Sequence, residues 1–141
     1  MKDLPSENEI MMNWTTGHSL PVVSVICMTY NHENYIEDAL NGFLIQKTEY
    51  AFEILIHDDA STDNTPSIIQ EYQKNYPSLI KPIYQSVNQM SRKVRNESFY
   101  QYRRAKGQYI AMCEGDDYWT TPDKLEKQVK FLSENPDYSA C

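Results

Sequence analysis

The sequence is poor in glycine, and this excludes two common kinds of phosphate-binding loop. Only four glycines occur in 141 residues, at positions 17, 42, 107 and 115. Neither G-x-G-x-x-G nor G-x-x-x-x-G-K-[ST] can be written with that spacing, so the dinucleotide-binding and P-loop classes are excluded. The serine-hydrolase motif G-x-S-x-G and the zinc-protease motif H-E-x-x-H are also absent.

Long apolar runs, an even number of cysteines and excess positive charge are missing as well. No apolar stretch approaches the ~18 residues that cross a bilayer, so we expect no integral membrane segment. The first 20 residues lack the apolar core of a signal peptide, which predicts a cytoplasmic protein, free or peripheral at the inner face of the membrane. We expect the three cysteines to be reduced and structural. The chain has 20 acidic and 13 basic residues, for a net charge of −7, so nucleic acid is a poor partner.

The sequence does contain alternating apolar strands and amphipathic helices after a polar start. Residues 1–20 show no periodicity and are expected to be a mobile lead-in to one domain over residues 21–141. Strands are predicted at 22–28, 52–57, 80–85 and 109–113, the third at a sheet edge because it contains Pro82. This alternation is typical of an α/β fold with a mainly parallel sheet and helices on both faces.

Helix starts are predicted from N-capping residues. Asn34, with Glu37 three positions later, resembles a capping box, while Thr65 before Pro66 and Thr121 before Pro122 resemble N-caps. A further helix is predicted near residues 98–105. The chain stops where another strand is expected to begin, which predicts a fragment of a longer protein.

Polar clusters follow three of the predicted strands. They are Thr29-Tyr30-Asn31, Asp58-Asp59 and Glu114-Gly115-Asp116-Asp117. Ligands of open α/β sheets bind beyond the carboxyl ends of the strands, where the strand order reverses. We therefore expect the three clusters to meet at one edge, with the first strand between the second and the fourth. An aromatic ring, carboxylates and hard oxygen ligands suit a base, a ribose and a metal-bridged diphosphate.

A plainer explanation remains open for several of these residues. Asp58, Asp59, Ser61 and Asp63 are also the residue types that stabilise turns and helix starts for local reasons. Tyr30 can equally pack against the protein or stack on a base. Seven of the 13 bases lie between positions 81 and 106, and a solvated surface explains them better than a phosphate site does.

Taken in order, these motifs resemble those of the nucleotide-sugar glycosyltransferases of family 2, which share the GT-A fold. The resemblance rests on residues 23–26 leading to Thr29-Tyr30-Asn31, on HDDASTDNT at 57–65, and on KGQYI at 106–110 leading to EGDDYW at 114–119. It covers about 120 residues from Pro21 onward. It implies that residues 21–141 are the N-terminal, nucleotide-sugar-binding part of a GT-A domain.

The resemblance also implies roles for the first two clusters in binding the nucleotide. Tyr30, flanked by Thr29 and Asn31, matches the tyrosine that lines the base pocket in the family. Asp59, the second acid of the pair that begins with Asp58, matches the residue that contacts the base, typically uracil. These residues are predicted to form the nucleotide-binding site.

The third cluster matches the D-x-D motif of the family, with one departure. Asp116 is implied as the ligand of Mg²⁺ or Mn²⁺, with Glu114 toward the ribose or the metal and Asp117 adjacent. Glu114 stands where the family usually has aspartate, which leaves the division of labour among the three acids open. Ala60 replaces a glycine that is common in the turn of the middle motif.

By resemblance, the protein is expected to transfer a sugar, with inversion, from a nucleotide-diphosphate donor such as a UDP-sugar to a hydroxyl acceptor. The acceptor would be a carbohydrate or lipid-linked, as in polysaccharide biosynthesis. A cation would allow an acidic protein to bind the anionic donor. The catalytic base is expected beyond Cys141, so the chain alone is predicted to be inactive. A noncatalytic nucleotide-binding or sugar-binding module is the alternative, and a phosphoryl-receiver-like domain is a weaker one.

Overall fold

A parallel sheet of four strands lies at the centre of the protein. The structure is a computed structural model, and it describes residues 4–15, 20–92 and 97–141. The strands are β1 (Val23–Thr29), β2 (Phe52–Asp58), β3 (Ile80–Tyr84) and β4 (Tyr109–Met112). They lie in the order β3-β2-β1-β4, and each neighbouring pair is parallel. The predicted α/β class, the central position of β1 and the edge position of the Pro82 strand are confirmed.

Helices cover both faces of this sheet. They are α1 (Glu7–Met11), α2 (Ile36–Leu44), α3 (Thr65–Asn75), α4 (Glu97–Arg104) and α5 (Lys124–Glu134), with a 3-10 turn at Met90–Arg92. Residues of α1, α2, α3 and α5 join the hydrophobic core on the face that carries Val25 and Ile54. On the opposite face, Gln101 of α4 donates a hydrogen bond to the carbonyl of Leu55. No helix among the described residues is long and apolar enough to cross a membrane.

Residues 4–15 differ from the mobile lead-in that we expected. Ser6 caps α1 in a capping box with Glu9, and Ile10 is buried in the core. The Glu7 carboxylate accepts hydrogen bonds from the backbone N–H groups of Ser78 (2.7 Å) and Leu79 (3.1 Å), after α3. The expectation was wrong here because this segment has its contacts far along the chain, where local periodicity gives no signal. Residues 1–3 and 16–19 lie outside the described residues.

Three predicted helix caps are also wrong. Helix α2 follows Tyr35 without a side-chain cap, because the N–H groups of Tyr35 and Ile36 bond the carbonyl of His32 in a tight turn. Thr65 is the first residue of α3 rather than its cap. Thr121 lies three residues before α5, and its carbonyl accepts a hydrogen bond from Gln46. Only for Thr65 does a tertiary contact take the hydroxyl that local capping would have used, since this hydroxyl accepts from the N–H of His32.

Segment 119–125 docks on the end of α2, and Gln46 makes the contacts. Its amide group bridges the carbonyl of Thr121 (2.8 Å) and the N–H of Leu125 (3.1 Å). A Cβ at Gly42 would lie 2.8 Å from the backbone nitrogen of Trp119, so this close approach needs glycine. The Trp119 ring is buried edge-on against Phe43 at 4.9 Å, which supports a packing role for Trp119.

A buried carboxylate joins three strands at the amino end of the sheet. Glu53 accepts hydrogen bonds from the Ser24 hydroxyl (2.8 Å), the Lys81 ammonium (2.8 Å) and the N–H of Lys106 (2.9 Å). Gly107, the next residue, lies so close to β1 that a Cβ there would be 2.5 Å from the backbone nitrogen of Ser24. Burial alone would raise the pKa of Glu53, but Lys81 and the other donors outweigh it and hold this pKa below its usual range. The Lys106-Gly107 pair is therefore structural, while Lys93 and Arg95 lie outside the described residues.

Replacing Glu53 with Gln should destabilise the protein by about 2 kcal/mol, because Lys81 and the Lys106 N–H lose a charged acceptor. Since the folded pKa is below the unfolded one, this stabilisation is present above pH ~4.3 and disappears as the pH falls further. Urea unfolding at pH 7 and at pH 3 measures both effects. The control is Asp123→Asn, which removes the exposed pair with Lys127 and should change little. Equal unfolding curves for Glu53→Gln and wild type at pH 7 would contradict the prediction.

Candidate functional site

The three polar clusters meet at the carboxyl edge of the sheet. The register pairs Thr29 of β1 with Asp58 of β2, and the N–H of Asp59 donates to the carbonyl of Thr29 at 2.9 Å. On the other side, the N–H of Gly115 donates to the carbonyl of Met28 at 2.8 Å, which extends the β1–β4 pairing past the end of β4. The expected juxtaposition of the clusters is therefore present, and β1 lies between the other two.

The loops after β1 and β2 are hydrogen-bonded directly to each other. The Ser61 hydroxyl accepts from the N–H of Asn31 (2.8 Å), and the Asn31 side-chain oxygen accepts from the N–H of Thr62 (2.8 Å). Asn31 and Ala60 both adopt left-handed backbone conformations, with φ of 56° and 63°. Asn31 is the residue type that tolerates this conformation, whereas Ala60 is strained in it. The Asn31 side chain therefore holds the two loops together.

A second set of bonds continues this connection toward α3. The Thr65 hydroxyl accepts from the N–H of His32 (2.9 Å), and Asp63 accepts from the N–H groups of Glu33 (3.0 Å) and Thr65 (2.9 Å). The carboxylate of Glu33 in turn accepts from the N–H of Asn64. Burial opposes ionisation of Asp63, but these bonds outweigh it and hold the pKa of Asp63 below its usual range. Ser61 and Asp63 thus have the turn role that the sequence left open.

The acid pair after β2 is buried, and its two members have different contacts. One oxygen of Asp58 accepts from the N–H of Ser61 (3.2 Å), while its other oxygen is buried without a partner among the described residues. Asp59 accepts from the N–H groups of Gln89 (2.7 Å) and Met90 (3.1 Å), in the loop after β3. Asp59 therefore orders a loop that the sequence did not associate with the site, since no local pattern links positions 59 and 89.

His57 precedes this pair and is fully buried. Neither of its ring nitrogens has a hydrogen-bond partner among the described residues. Burial lowers the pKa of His57, and the nearby Asp59 and Asp58 offset this only in part. The imidazole of His57 is therefore neutral at pH 7.

In the third cluster the acids are exposed and the glycine between them is buried. Glu114, Asp116 and Asp117 all present their side chains to solvent, and the Asp116 side chain is 49% exposed. The backbone of Gly115 lies against the side chains of Thr29 and His32. Unlike Asp58 and Asp59, these three acids are free of hydrogen bonds to the loops described above, so they are available to a ligand.

The exposed acids suit a hard divalent cation that is also bound by substrate phosphates. No group of three His, Cys, Asp or Glu side chains able to hold a metal ion occurs within residues 4–15, 20–92 and 97–141. Mg²⁺ and similar hard cations, however, are commonly held by one or two carboxylates together with substrate phosphates, rather than by an all-protein cage. The carboxylates at positions 114–117 have the required chemistry for such a shared site.

Tyr30 lies at the same edge with its ring partly open to solvent. Its exposed fraction is 42%, in contrast to the buried Thr29 before it. The exposed ring is therefore available for stacking on a base.

Comparison with known proteins identifies the family. A family model described as Glycosyl transferase family 2 matches residues 24–141, which is most of the chain. The chain belongs to glycosyl transferase family 2. The resemblance drawn from the strand-end motifs is therefore confirmed.

Two curated relatives of this family 2 chain come from bacteria. Rv1520, an uncharacterised protein of Mycobacterium tuberculosis H37Rv, is 47% identical over 121 residues, covering 84% of this chain and 34% of the relative. TuaG of Bacillus subtilis, named as a putative teichuronic acid biosynthesis glycosyltransferase, is 40% identical, covering 88% of this chain and 45% of its own length. The chain thus spans between about a third and a half of these relatives.

Solved structures share the fold of this family 2 chain. S. aureus TarS 1-349 in complex with UDP-GlcNAc superposes with a TM-score of 0.65 at 30% identity, covering 81% of this chain and 32% of TarS 1-349. The mannosyltransferase PcManGT of Pyrobaculum calidifontis, in complex with GDP-Man and Mn²⁺, gives a TM-score of 0.67 at 25% identity. The match covers 94% of this chain and 36% of PcManGT. The predicted GT-A fold is confirmed.

The turn at Ala60 provides a test of the site's local geometry. Replacing Ala60 with Gly should stabilise the protein by about 0.5–1 kcal/mol, because glycine adopts φ of 63° without the steric cost of a Cβ. Thermal and urea unfolding measure the change. The matched control is Ala39→Gly in α2, where the same substitution should cost about 1 kcal/mol or more. A loss of stability in Ala60→Gly would show that the turn is not strained as described.

Proposed function

We propose that this chain is the donor-binding part of an inverting glycosyltransferase whose donor is a nucleotide-diphosphate sugar, with UDP as the nucleotide. The observation that carries the proposal is the meeting of an exposed tyrosine, a buried acid pair and three exposed acids at one edge of the sheet. Relatives named as glycosyltransferases and the TarS complex with UDP-GlcNAc support this choice of donor.

In this proposal the first two clusters bind the nucleoside. Tyr30 offers its ring to the base, with Thr29 and Asn31 shaping the loop beside it. Asp59 borders the same pocket and orders the loop at residues 89–90. A carboxylate has about four acceptor positions, so Asp59 can accept from a base N–H in addition to its two backbone donors. Asp58 supports the turn after Asp59 by accepting a hydrogen bond from the N–H of Ser61.

The third cluster holds the diphosphate through a divalent cation. Asp116 is the proposed ligand of Mg²⁺ or Mn²⁺, with Glu114 toward the ribose or the metal and Asp117 adjacent. When bound, the cation neutralises the diphosphate and stabilises it as a leaving group. Because the net charge is −7, such a cation would reduce the repulsion of an anionic donor. PcManGT, whose fold this chain shares, was solved with Mn²⁺.

The acceptor hydroxyl attacks the anomeric carbon of the sugar, and a carboxylate removes its proton. None of the acids at the strand ends is assigned to that task, because they support turns or face the donor. We therefore propose that the base lies beyond Cys141. The proposed acceptor is a carbohydrate or is lipid-linked, as in polysaccharide biosynthesis at the cytoplasmic side of the membrane. The name of TuaG, a putative teichuronic acid biosynthesis glycosyltransferase, supports the biosynthetic part of this proposal.

Calorimetric titration of the chain with UDP, with and without Mn²⁺, tests the donor site. Asp116→Asn should remove most of the Mn²⁺-dependent gain in UDP affinity, because it removes the proposed metal ligand. Asp59→Ala should weaken UDP binding by about tenfold with or without Mn²⁺, since the loop at 89–90 loses its anchor.

GDP, dTDP and the surface variant Asp137→Asn serve as controls for this titration. The control variant should bind UDP as the wild type does. Equal UDP affinity in EDTA and in Mn²⁺ would refute the cation bridge, and preference for GDP would reassign the base. Absence of binding by any nucleotide would refute the donor site altogether.

Residues 1–141 by themselves should bind the donor without transferring sugar. Direct displacement needs a base and an oriented acceptor, and the described acids supply neither. Donor consumption is measured with UDP-hexoses and simple sugar acceptors, beside an active full-length member of the family. Robust turnover by residues 1–141 would contradict the prediction, and would mean that one of the acids named above is the base.

A further inference from the structure

The imidazole of His32 lies between the first and third clusters and is held from several directions. Its backbone N–H donates to the Thr65 hydroxyl, and its carbonyl accepts from the N–H groups of Tyr35 (2.9 Å) and Ile36 (2.8 Å). The ring packs edge-on to Tyr35 at a centroid distance of 6.5 Å. The position of this ring is therefore set by the start of α2 and by the neighbouring loop.

Gly115 determines how closely the third cluster approaches this ring. A Cβ at position 115 would lie 2.6 Å from Oγ1 of Thr29 and 2.9 Å from Nδ1 of His32, closer than such atoms approach in proteins. Glycine is therefore required between the acids at 114 and 116. With glycine there, the backbone packs onto Thr29 and His32, and the side chain of the next residue, Asp116, faces the other ring nitrogen.

The two nitrogens of His32 have contrasting surroundings. Nδ1 is buried and has no partner among the described residues, and neither has Oγ1 of Thr29, which lies against the same point above Gly115. Nε2 lies 3.9 Å from Oδ2 of Asp116, beyond hydrogen-bond length but close enough for a favourable charge–dipole interaction. Such contacts are often long in ligand-free proteins and shorten when the ligand binds.

This asymmetry selects one form of the neutral ring. With the proton on Nε2, the N–H points toward the carboxylate of Asp116, and the lone pair of Nδ1 can accept from the Thr29 hydroxyl after a small rotation. With the proton on Nδ1, the Thr29 hydroxyl could instead accept it, but the lone pair of Nε2 would face the carboxylate of Asp116, which is unfavourable. The Nε2–H tautomer is therefore favoured.

We infer that His32 is a positioning residue for Asp116, orienting its carboxylate from one side and leaving the other side open to the cation. The inference rests on the proposed function for the role of Asp116, but the contact itself exists without any ligand. Groups that orient a metal ligand typically change metal affinity by ten- to a hundredfold when removed. His32 would accordingly influence the cation-dependent part of donor binding and leave the cation-independent part unchanged.

The contact can be tested without nucleotide or metal by NMR of histidine ring nitrogens at pH ~8.5, where an ordinary imidazole is neutral. The His32 signals, assigned by their loss in His32→Gln, should show the Nε2–H tautomer. Asp116→Ala should shift them toward a tautomer mixture, while the signals of the buried His57 remain unchanged. Identical His32 signals in wild type and Asp116→Ala would overturn the inference, whatever the protein binds.

A pair of substitutions tests the consequence for donor binding. A Gln side chain places its amide nitrogen near the position of Nε2, whereas Asn reaches only to the position of Nδ1. His32→Asn should therefore reduce the Mn²⁺-dependent gain in UDP affinity by about tenfold, and His32→Gln should retain most of it. Affinity in EDTA should be the same for both. The control is Asn34→Ala, an exposed change in the same loop.

The outcomes separate this inference from the proposed function. Equal loss in His32→Asn and His32→Gln, with or without Mn²⁺, would indicate a purely structural role for His32 and overturn the inference. If the wild type binds no nucleotide, the proposed function fails, and the NMR comparison still decides whether His32 positions Asp116. Circular dichroism and thermal unfolding exclude variants that do not fold.

Discussion

The pairing of β1 on both sides is the constraint on which the rest of the structure depends. Seven residues of β1 pair with β2, and β4 pairs with its other edge in the same direction. Parallel strands place their carboxyl ends together, so segments far apart in sequence leave the sheet at one edge. The packing on both faces of β1 fixes this register, because a slip of one residue would exchange the two buried faces and separate Ser24 from Glu53.

Three polar segments meet at this edge, and their buried polar groups need hydrogen-bond partners. The acids accordingly fall into two groups. Asp58, Asp59 and Asp63 accept backbone N–H groups and hold loops, whereas Glu114, Asp116 and Asp117 remain exposed. Hydrogen bonds from backbone N–H groups offset part of the cost of crowding like charges at one edge. The same division separates residues that build the pocket from residues that can meet a cation.

Several of these roles were predictable from the sequence, and others were not. The strands, the order of the sheet and the meeting of the clusters followed from apolar runs and from the rules of parallel sheets. The packing of α1 against Ser78 and Leu79 did not, since Glu7 bonds residues 71 and 72 positions away. The helix caps failed for a related reason: Thr65 is a good cap by type, but its hydroxyl is bound to the N–H of His32.

The sequence by itself determined the α/β class, the family and the location of the acids at strand ends, because apolar periodicity and motif spacing are local properties of the chain. Only the tertiary structure decided which acids are buried and which are open, that Asp59 anchors the loop at 89–90, and that Gly115 brings His32 close to Asp116. These depend on distances between segments that are 30 residues apart for Asp59 and Gln89 and 84 residues apart for His32 and Asp116. Such contacts exist only after the sheet has set the relative positions of the segments.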